Sequence, residues 1–135
     1  MTPDIQTFAA GADWVAACAD RLADALSQAV AANGRALFAG SGGSTPSPIY
    51  RRMAETDLDW SKVAVTLVDE RYVPESDDRS NARLLKQTLL TDRAAAARLV
   101  PLYHPAVTVD RAAALAAAAL RPEERLDAVL LGMGE

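Results

Sequence analysis

Gly40-Ser41-Gly42-Gly43-Ser44-Thr45-Pro46 stands between two segments of opposite character. Before it, Ala36-Leu37-Phe38-Ala39 is a short apolar run that reads as a buried strand. After it, residues 46–55 read as a helix. A strand, a glycine-rich turn and a helix start point several backbone N–H groups into one small space. They also set the positive end of a helix dipole there, which favours a bound anion. Gly40, Gly42 and Gly43 carry no Cβ, so the backbone can bend and approach a ligand closely. Ser44 and Thr45 add hydroxyl donors, and Pro46 suits a first helical turn, where a missing N–H is harmless. The functional reading is a phosphate cradle; the plainer one is a flexible strand-to-helix turn with a good N-cap. The coincidence of glycines, hydroxyls and proline at the end of a strand favours the cradle. A P-loop needs a lysine before its hydroxyl residue, and none is present. The dinucleotide pattern G-x-G-x-x-G fails at Thr45. The phosphate is therefore expected on a small metabolite rather than a nucleotide.

Outward from this loop, strands and helices alternate. Residues 12–32 read as a long helix, with Trp14, Cys18, Leu22, Leu26 and Val30 recurring every four residues on one face. Asn33-Gly34 is a C-terminal stop. Strands are expected at 35–39, 63–68, 99–103 and 126–131, and a short edge strand at 5–9. The run Val-Ala-Val-Thr-Leu-Val at 63–68 is rich in β-branched residues. Further helices are expected from a cap at Ser80 or Asn81 to about Leu90, briefly at 94–97, and from a cap at Asp110 to Leu120. The alternation predicts one α/β domain over residues 1–135: three layers, with a mostly parallel Rossmann-like sheet and helices on both faces.

Composition fits a soluble globular chain. Of 135 residues half are hydrophobic and 24% are charged, and the net charge is −4, which argues against nucleic acid or an anionic membrane as partner. The single cysteine, Cys18, allows no internal disulfide, so a reducing cytoplasm is expected. No run reaches membrane-spanning length.

Ligands of open parallel sheets bind beyond the carboxyl ends of the strands. Three segments are expected there and, if their strands are neighbours, in one crevice: Gly40 to Thr45, Asp69-Glu70-Arg71, and Gly132 to Glu135. Arg71 can clamp a phosphate or carboxylate through its planar fork, and Asp69 can accept from sugar hydroxyls. A solvated loop with local ion pairs is the plainer reading of the triplet. Asp77-Asp78-Arg79 reads as a solvated turn, and His104 as a structural or surface residue. Trp14 and Trp60 read as packing residues. No cluster has metal-ligand spacing.

These motifs together resemble the 6-phosphogluconolactonases of the pentose phosphate pathway, in the glucosamine-6-phosphate isomerase/6-phosphogluconolactonase family. The carrying residues are Ala39 to Pro46 with Tyr50, Asp59-Trp60-Ser61-Lys62-Val63, Val68 to Pro74 with Ser80-Asn81, and Asp127 to Glu135. The resemblance implies a cytoplasmic hydrolase that opens 6-phosphogluconolactone to 6-phosphogluconate without cofactor or metal. It implies that Gly42, Gly43, Ser44, Thr45, Asp69, Arg71, Asn81, Gly132 and Gly134 bind the phosphosugar lactone. It also implies that the general-base histidine follows Glu135, so no catalytic residue of that pattern falls within this chain, and His104 does not match its position. Only the N-terminal part of the pattern is covered. The chain is thus expected to be truncated on its C-terminal side, with a lowered rate and an exposed strand edge that invites self-association. Two alternatives stay open: a non-catalytic phosphosugar-binding module, and a glucosamine-6-phosphate deaminase-like enzyme. Arg71 and the doubled glycine speak against the second.

Overall fold

The computed structural model describes residues 2–123 and 125–133. Four parallel strands form one sheet in the order β3-β2-β1-β4: β1 (Ala36–Gly40), β2 (Val63–Leu67), β3 (Arg98–Leu99) and β4 (Ala128–Leu130). Every residue of β1 and β2 is buried, as central parallel strands covered on both faces require. Side chains alternate across the sheet. Phe38, Val63 and Val65 face a core built with α1 (Gly11–Asn33), α2 (Ser47–Ala54) and α3 (Asn81–Thr88). Leu37 and Ala64 face the other way, onto Ala119 and Leu120 of α4 (Val109–Leu120). The three-layer parallel arrangement with helices on both faces is the one the alternation predicts.

The long helix α1 lies on the sheet through small residues. Ala19, Ala23 and Ala29 are buried beside Leu26, while Trp14, Cys18, Leu22 and Val30 pack at the margin of the same core. Partial burial at that margin pushes the Cys18 thiol up, so it stays protonated. Gly34 ends the helix in the left-handed region at φ 76°, and its N–H donates to the Val30 carbonyl at 2.8 Å.

Four expectations need correction. Residues 5–9 form no strand: Ile5 and Phe8 are exposed, with no neighbouring strand to pair with. The strand expected at 99–103 is cut to two residues, because Val100 makes its bond to the Val65 carbonyl and Pro101 then has no N–H for the ladder. Thr108, not Asp110, caps α4, its hydroxyl accepting from the Arg111 amide at 3.1 Å. The last strand starts late because Asp127 bonds Leu37 at both ends of its residue. Its carboxylate accepts the Leu37 amide at 2.8 Å and its own amide donates to the Leu37 carbonyl at 3.0 Å.

Among the described residues β4 pairs only with β1, so its far edge is open, and Val129 and Leu131 are exposed beside it. No helix among them is long and apolar enough to cross a membrane.

Candidate functional site

The loop from β1 to α2 is held from beneath by buried side chains. Tyr50, fully buried on α2, donates from its hydroxyl to the Ser41 carbonyl at 2.5 Å. Burial pushes that hydroxyl up to about 12, so it remains a protonated donor. The Ser47 hydroxyl donates to the Gly43 carbonyl at 2.9 Å. Two glycines are required by close approach. A Cβ on Gly40 would stand 2.6 Å from the Tyr50 hydroxyl oxygen, and one on Gly42 would stand 2.1 Å from the Asn81 side-chain oxygen. Gly43 sits at φ 105°, a conformation that other residues rarely adopt.

With the Ser41 and Gly43 carbonyls engaged, the loop has amides to spare. Among the described residues, the N–H groups of Gly42, Gly43, Ser44 and Thr45 donate to no acceptor. Gly43, Ser44 and Thr45 are exposed. The first turn of α2 follows directly, with its dipole aimed back at the loop. Free amides ahead of a helix start are the geometry that favours an anion.

The second loop, from β2 to α3, meets the first through Asn81. That side chain is buried, lies against Gly42, and donates to the Asp69 carbonyl at 3.1 Å. Glu70 turns inward onto the start of α3. One carboxylate oxygen accepts from the Asn81 amide at 2.7 Å and from the Arg71 amide at 2.9 Å; the other accepts from the Ala82 amide at 2.8 Å. Ser80 caps the same helix, accepting from the Arg83 amide at 3.1 Å. Arg71 is exposed and donates to the Arg79 carbonyl at 2.7 Å. Asp77 holds Arg79 in turn through its backbone amide and guanidinium. Those contacts draw the Asp77 carboxyl down to about 2. Residues 75–86 are further tied by Arg83–Asp78 and Lys86–Glu75 pairs, so this loop is laced to itself.

The expected site residues fall into two places. Gly42, Gly43, Ser44 and Thr45 share a hollow of about 590 Å³ with Gly132 of the segment after β4. Trp14, Ile49, Leu130 and Met133 form its apolar wall. Arg71 lines a different hollow, of about 380 Å³, with Tyr72, Tyr103 and the alanine face of α4. Asn81 stands between the cradle and the Asp69-Glu70-Arg71 turn, touching Gly42 on one side and Asp69 on the other. Asp69 is exposed and lines neither hollow. Gly134 lies outside the described residues. His104 is partly buried, its Nε2 lies 3.2 Å from the Pro101 carbonyl, and it does not line the cradle hollow. No cluster of three or more metal-ligating side chains occurs among the described residues.

Sequence reasoning passed over Trp14 as part of the hollow, and over the separate tasks of Tyr50, Ser47 and Glu70. Tyr50 lies four residues after Pro46, the spacing that returns a helical side chain to the first turn. Trp14 opens the four-residue stripe of the first helix. Glu70 gives no such signal, because a carboxylate in an acidic loop reads as solvated.

Comparison with known proteins places this geometry. Residues 9–135 match the family model described as glucosamine-6-phosphate isomerases/6-phosphogluconolactonase. The chain is 47% identical to a 6-phosphogluconolactonase of Rhizobium meliloti, over 99% of this chain and 58% of the relative. It is 50% identical to one of Mesorhizobium japonicum, over 87% of this chain and 50% of the relative. The crystal structure of a 6-phosphogluconolactonase from Shewanella baltica superposes with a TM-score of 0.91 at 38% identity, covering 94% of this chain and 55% of that one. The chain spans little more than half the length of these relatives.

Proposed function

This chain belongs to the glucosamine-6-phosphate isomerase/6-phosphogluconolactonase family, and on that premise we propose that it carries the phosphosugar-gripping part of a 6-phosphogluconolactonase. One observation carries the reading. The amides of Gly42 to Thr45 stand free at the start of α2, in a hollow that also holds Gly132. Four amides and a helix dipole suit a phosphate dianion, and the apolar wall from Trp14 to Met133 suits the carbon face of a sugar. Asn81 stands at the polar edge of the cradle, and Asp69, outside both hollows, enters the reading only through its contact with Asn81. Arg71 reaches from the neighbouring hollow on a long side chain and neutralises charge as the substrate arrives.

The reaction is hydrolysis of 6-phosphogluconolactone. Water adds to the lactone carbonyl, the ring C–O bond breaks, the ring oxygen leaves as a hydroxyl, and 6-phosphogluconate departs as a carboxylate with release of a proton. The developing oxyanion requires hydrogen-bond donors, and the attacking water requires a base. We assign no general base within residues 1–135. The reading invokes no metal and no organic cofactor, and a cytoplasmic setting suits the lone thiol of Cys18.

Calorimetry with 6-phosphogluconate and with unphosphorylated gluconate tests the grip. We expect the phosphorylated ligand alone to bind, shifting the amide resonances of Gly42 to Thr45. Equal binding of both acids, or shifts confined to the hollow around Tyr103, would overturn it. Following acid release after adding the lactone then measures whether residues 1–135 turn it over.

Self-association through the open β4 edge belongs to the same proposal, since Val129 and Leu131 are exposed beside unpaired backbone. Sedimentation should show concentration-dependent association that Val129→Lys relieves. A monomer at all concentrations would exclude it.

A further inference from the structure

The cradle and the Asp69-Glu70-Arg71 turn stand on different strands, and something must fix the distance between them. Three contacts span that gap. Asn81 lies against Gly42, Asn81 donates to Asp69, and Glu70 holds the start of α3, where Asn81 is the first residue. The Glu70 contact carries the greatest charge. Its two oxygens accept from the amides of Arg71, Asn81 and Ala82, at 2.9, 2.7 and 2.8 Å. One of those amides belongs to the turn and two to the helix. The carboxylate is thus a staple between the loop that presents Arg71 and the helix that presents Asn81. It is also the counter-charge of the α3 dipole.

We propose that Glu70 is a positioning residue for the phosphosugar site: it touches no ligand, and it sets the distance between the Gly42 cradle and the Asp69–Arg71 turn through Asn81. The proposal uses the reading above only for the identity of the ligand. Substitution of the carboxylate lets the Asn81 backbone relax away from Glu70. The Asn81 side chain then no longer seats on Gly42, where there is room for it only because Gly42 lacks a Cβ.

Ser80 provides the control. Its hydroxyl accepts from the Arg83 amide at 3.1 Å and donates to Glu70 only at 3.5 Å, a far longer contact than the amide bonds that Glu70 makes, so its removal takes away the cap and leaves all three amide bonds of Glu70. A role limited to helix stability makes Glu70 and Ser80 equivalent, whereas a positioning role separates them. In the ligand-free chain, Glu70→Gln should move the Gly42 amide and the Asn81 side-chain amide resonances and speed hydrogen exchange at Asn81 and Ala82. Ser80→Ala should lower the melting temperature and leave the Gly42 resonance in place. With 6-phosphogluconate, Glu70→Gln should bind about tenfold more weakly, and Glu70→Ala more weakly still, because glutamine keeps one acceptor oxygen. Ser80→Ala should stay within about twofold of the parent. Should Glu70→Ala not fold, the glutamine variant decides alone. A Gly42 resonance unmoved in Glu70→Gln, or moved equally by Ser80→Ala, overturns the proposal. If the parent chain binds no 6-phosphogluconate, the substrate reading fails and the ligand-free resonances still decide the role of Glu70.

Discussion

Two loops leave the carboxyl ends of adjacent parallel strands, and each opens a helix of eight residues. They treat the helix start in opposite ways. At α3 the protein supplies its own anion: Glu70 accepts two amides of the first turn and Ser80 accepts a third. At α2 the protein ties down the loop carbonyls with Tyr50 and Ser47 and leaves the loop amides open. The first arrangement is closed and self-sufficient. The second leaves its amides without an acceptor among the described residues, which is the opening that the proposed phosphate would fill. An unsatisfied helix start is tolerated where it serves binding, and the contrast between α2 and α3 is why the proposal puts the phosphate at α2.

Gly42→Ala attacks that contrast most directly, and we expect the largest effect. Its Cβ would stand 2.1 Å from the Asn81 side-chain oxygen, so the Asn81 side chain must leave Gly42 or the two loops must separate. Loss of roughly 1–3 kcal/mol of stability is expected from overpacking. Affinity for 6-phosphogluconate should fall about 10- to 100-fold, since the ligand groups are displaced by an ångström or more. Thermal unfolding and calorimetry measure the two. Parent-like affinity would mean that the loops act independently.

Tyr50→Phe comes next and touches only the cradle. It leaves the Ser41 carbonyl without its donor, at about 1–3 kcal/mol. Its pH dependence has a definite sign. The folded chain raises the hydroxyl from an ordinary 10.0 to about 12, so it holds that proton more tightly than the unfolded chain does. The associated stability is present below pH 10 and is lost as pH rises toward 12. Chemical denaturation across that range should show the parent losing stability and Tyr50→Phe losing less. Parallel curves would break the assignment.

The same contrast explains what could be read from the sequence. The strand, glycine turn and helix around residues 36–54 were legible because their requirements are local. Glycines, hydroxyls and proline must follow a strand in order, and no distant residue changes that. The parallel sheet and both helical layers follow from apolar runs alternating with four-residue stripes, whereas the strand order β3-β2-β1-β4 depends on pairing that the runs do not encode. Features set by the partner were not legible. Pro101 shortens β3 because of where the Val65 carbonyl lies, and β4 starts late because Asp127 reaches Leu37. Residues 5–9 have strand-like composition and no partner. Arg71 and the cradle share one end of the sheet but line separate hollows, Arg71 with Glu70, Tyr72 and the α4 face and the cradle with Trp14 and Gly132, a division that depends on how the second loop folds back on itself.

The smallest effect is expected at Asp77, on the outer rim of the closed loop. Its carboxyl is drawn from 3.8 to about 2 by the Arg79 side chain first and the Arg79 amide second. The folded chain therefore holds this proton less tightly than the unfolded one. The stabilisation is present above about pH 3.8 and disappears as pH falls toward 2. Asp77→Asn should lower the melting temperature slightly at neutral pH and match the parent near pH 2. A difference that persists in acid would assign the effect to packing. Because Asp77 orients the residue whose carbonyl holds Arg71, acid should shift the Arg71 guanidinium resonances in the parent. The Gly42 amide, pinned through Tyr50, Ser47 and Asn81 and not through Arg79, should stay fixed over the same titration. A Gly42 amide that followed Asp77 would mean that the closed loop governs the open one through a second route besides Glu70.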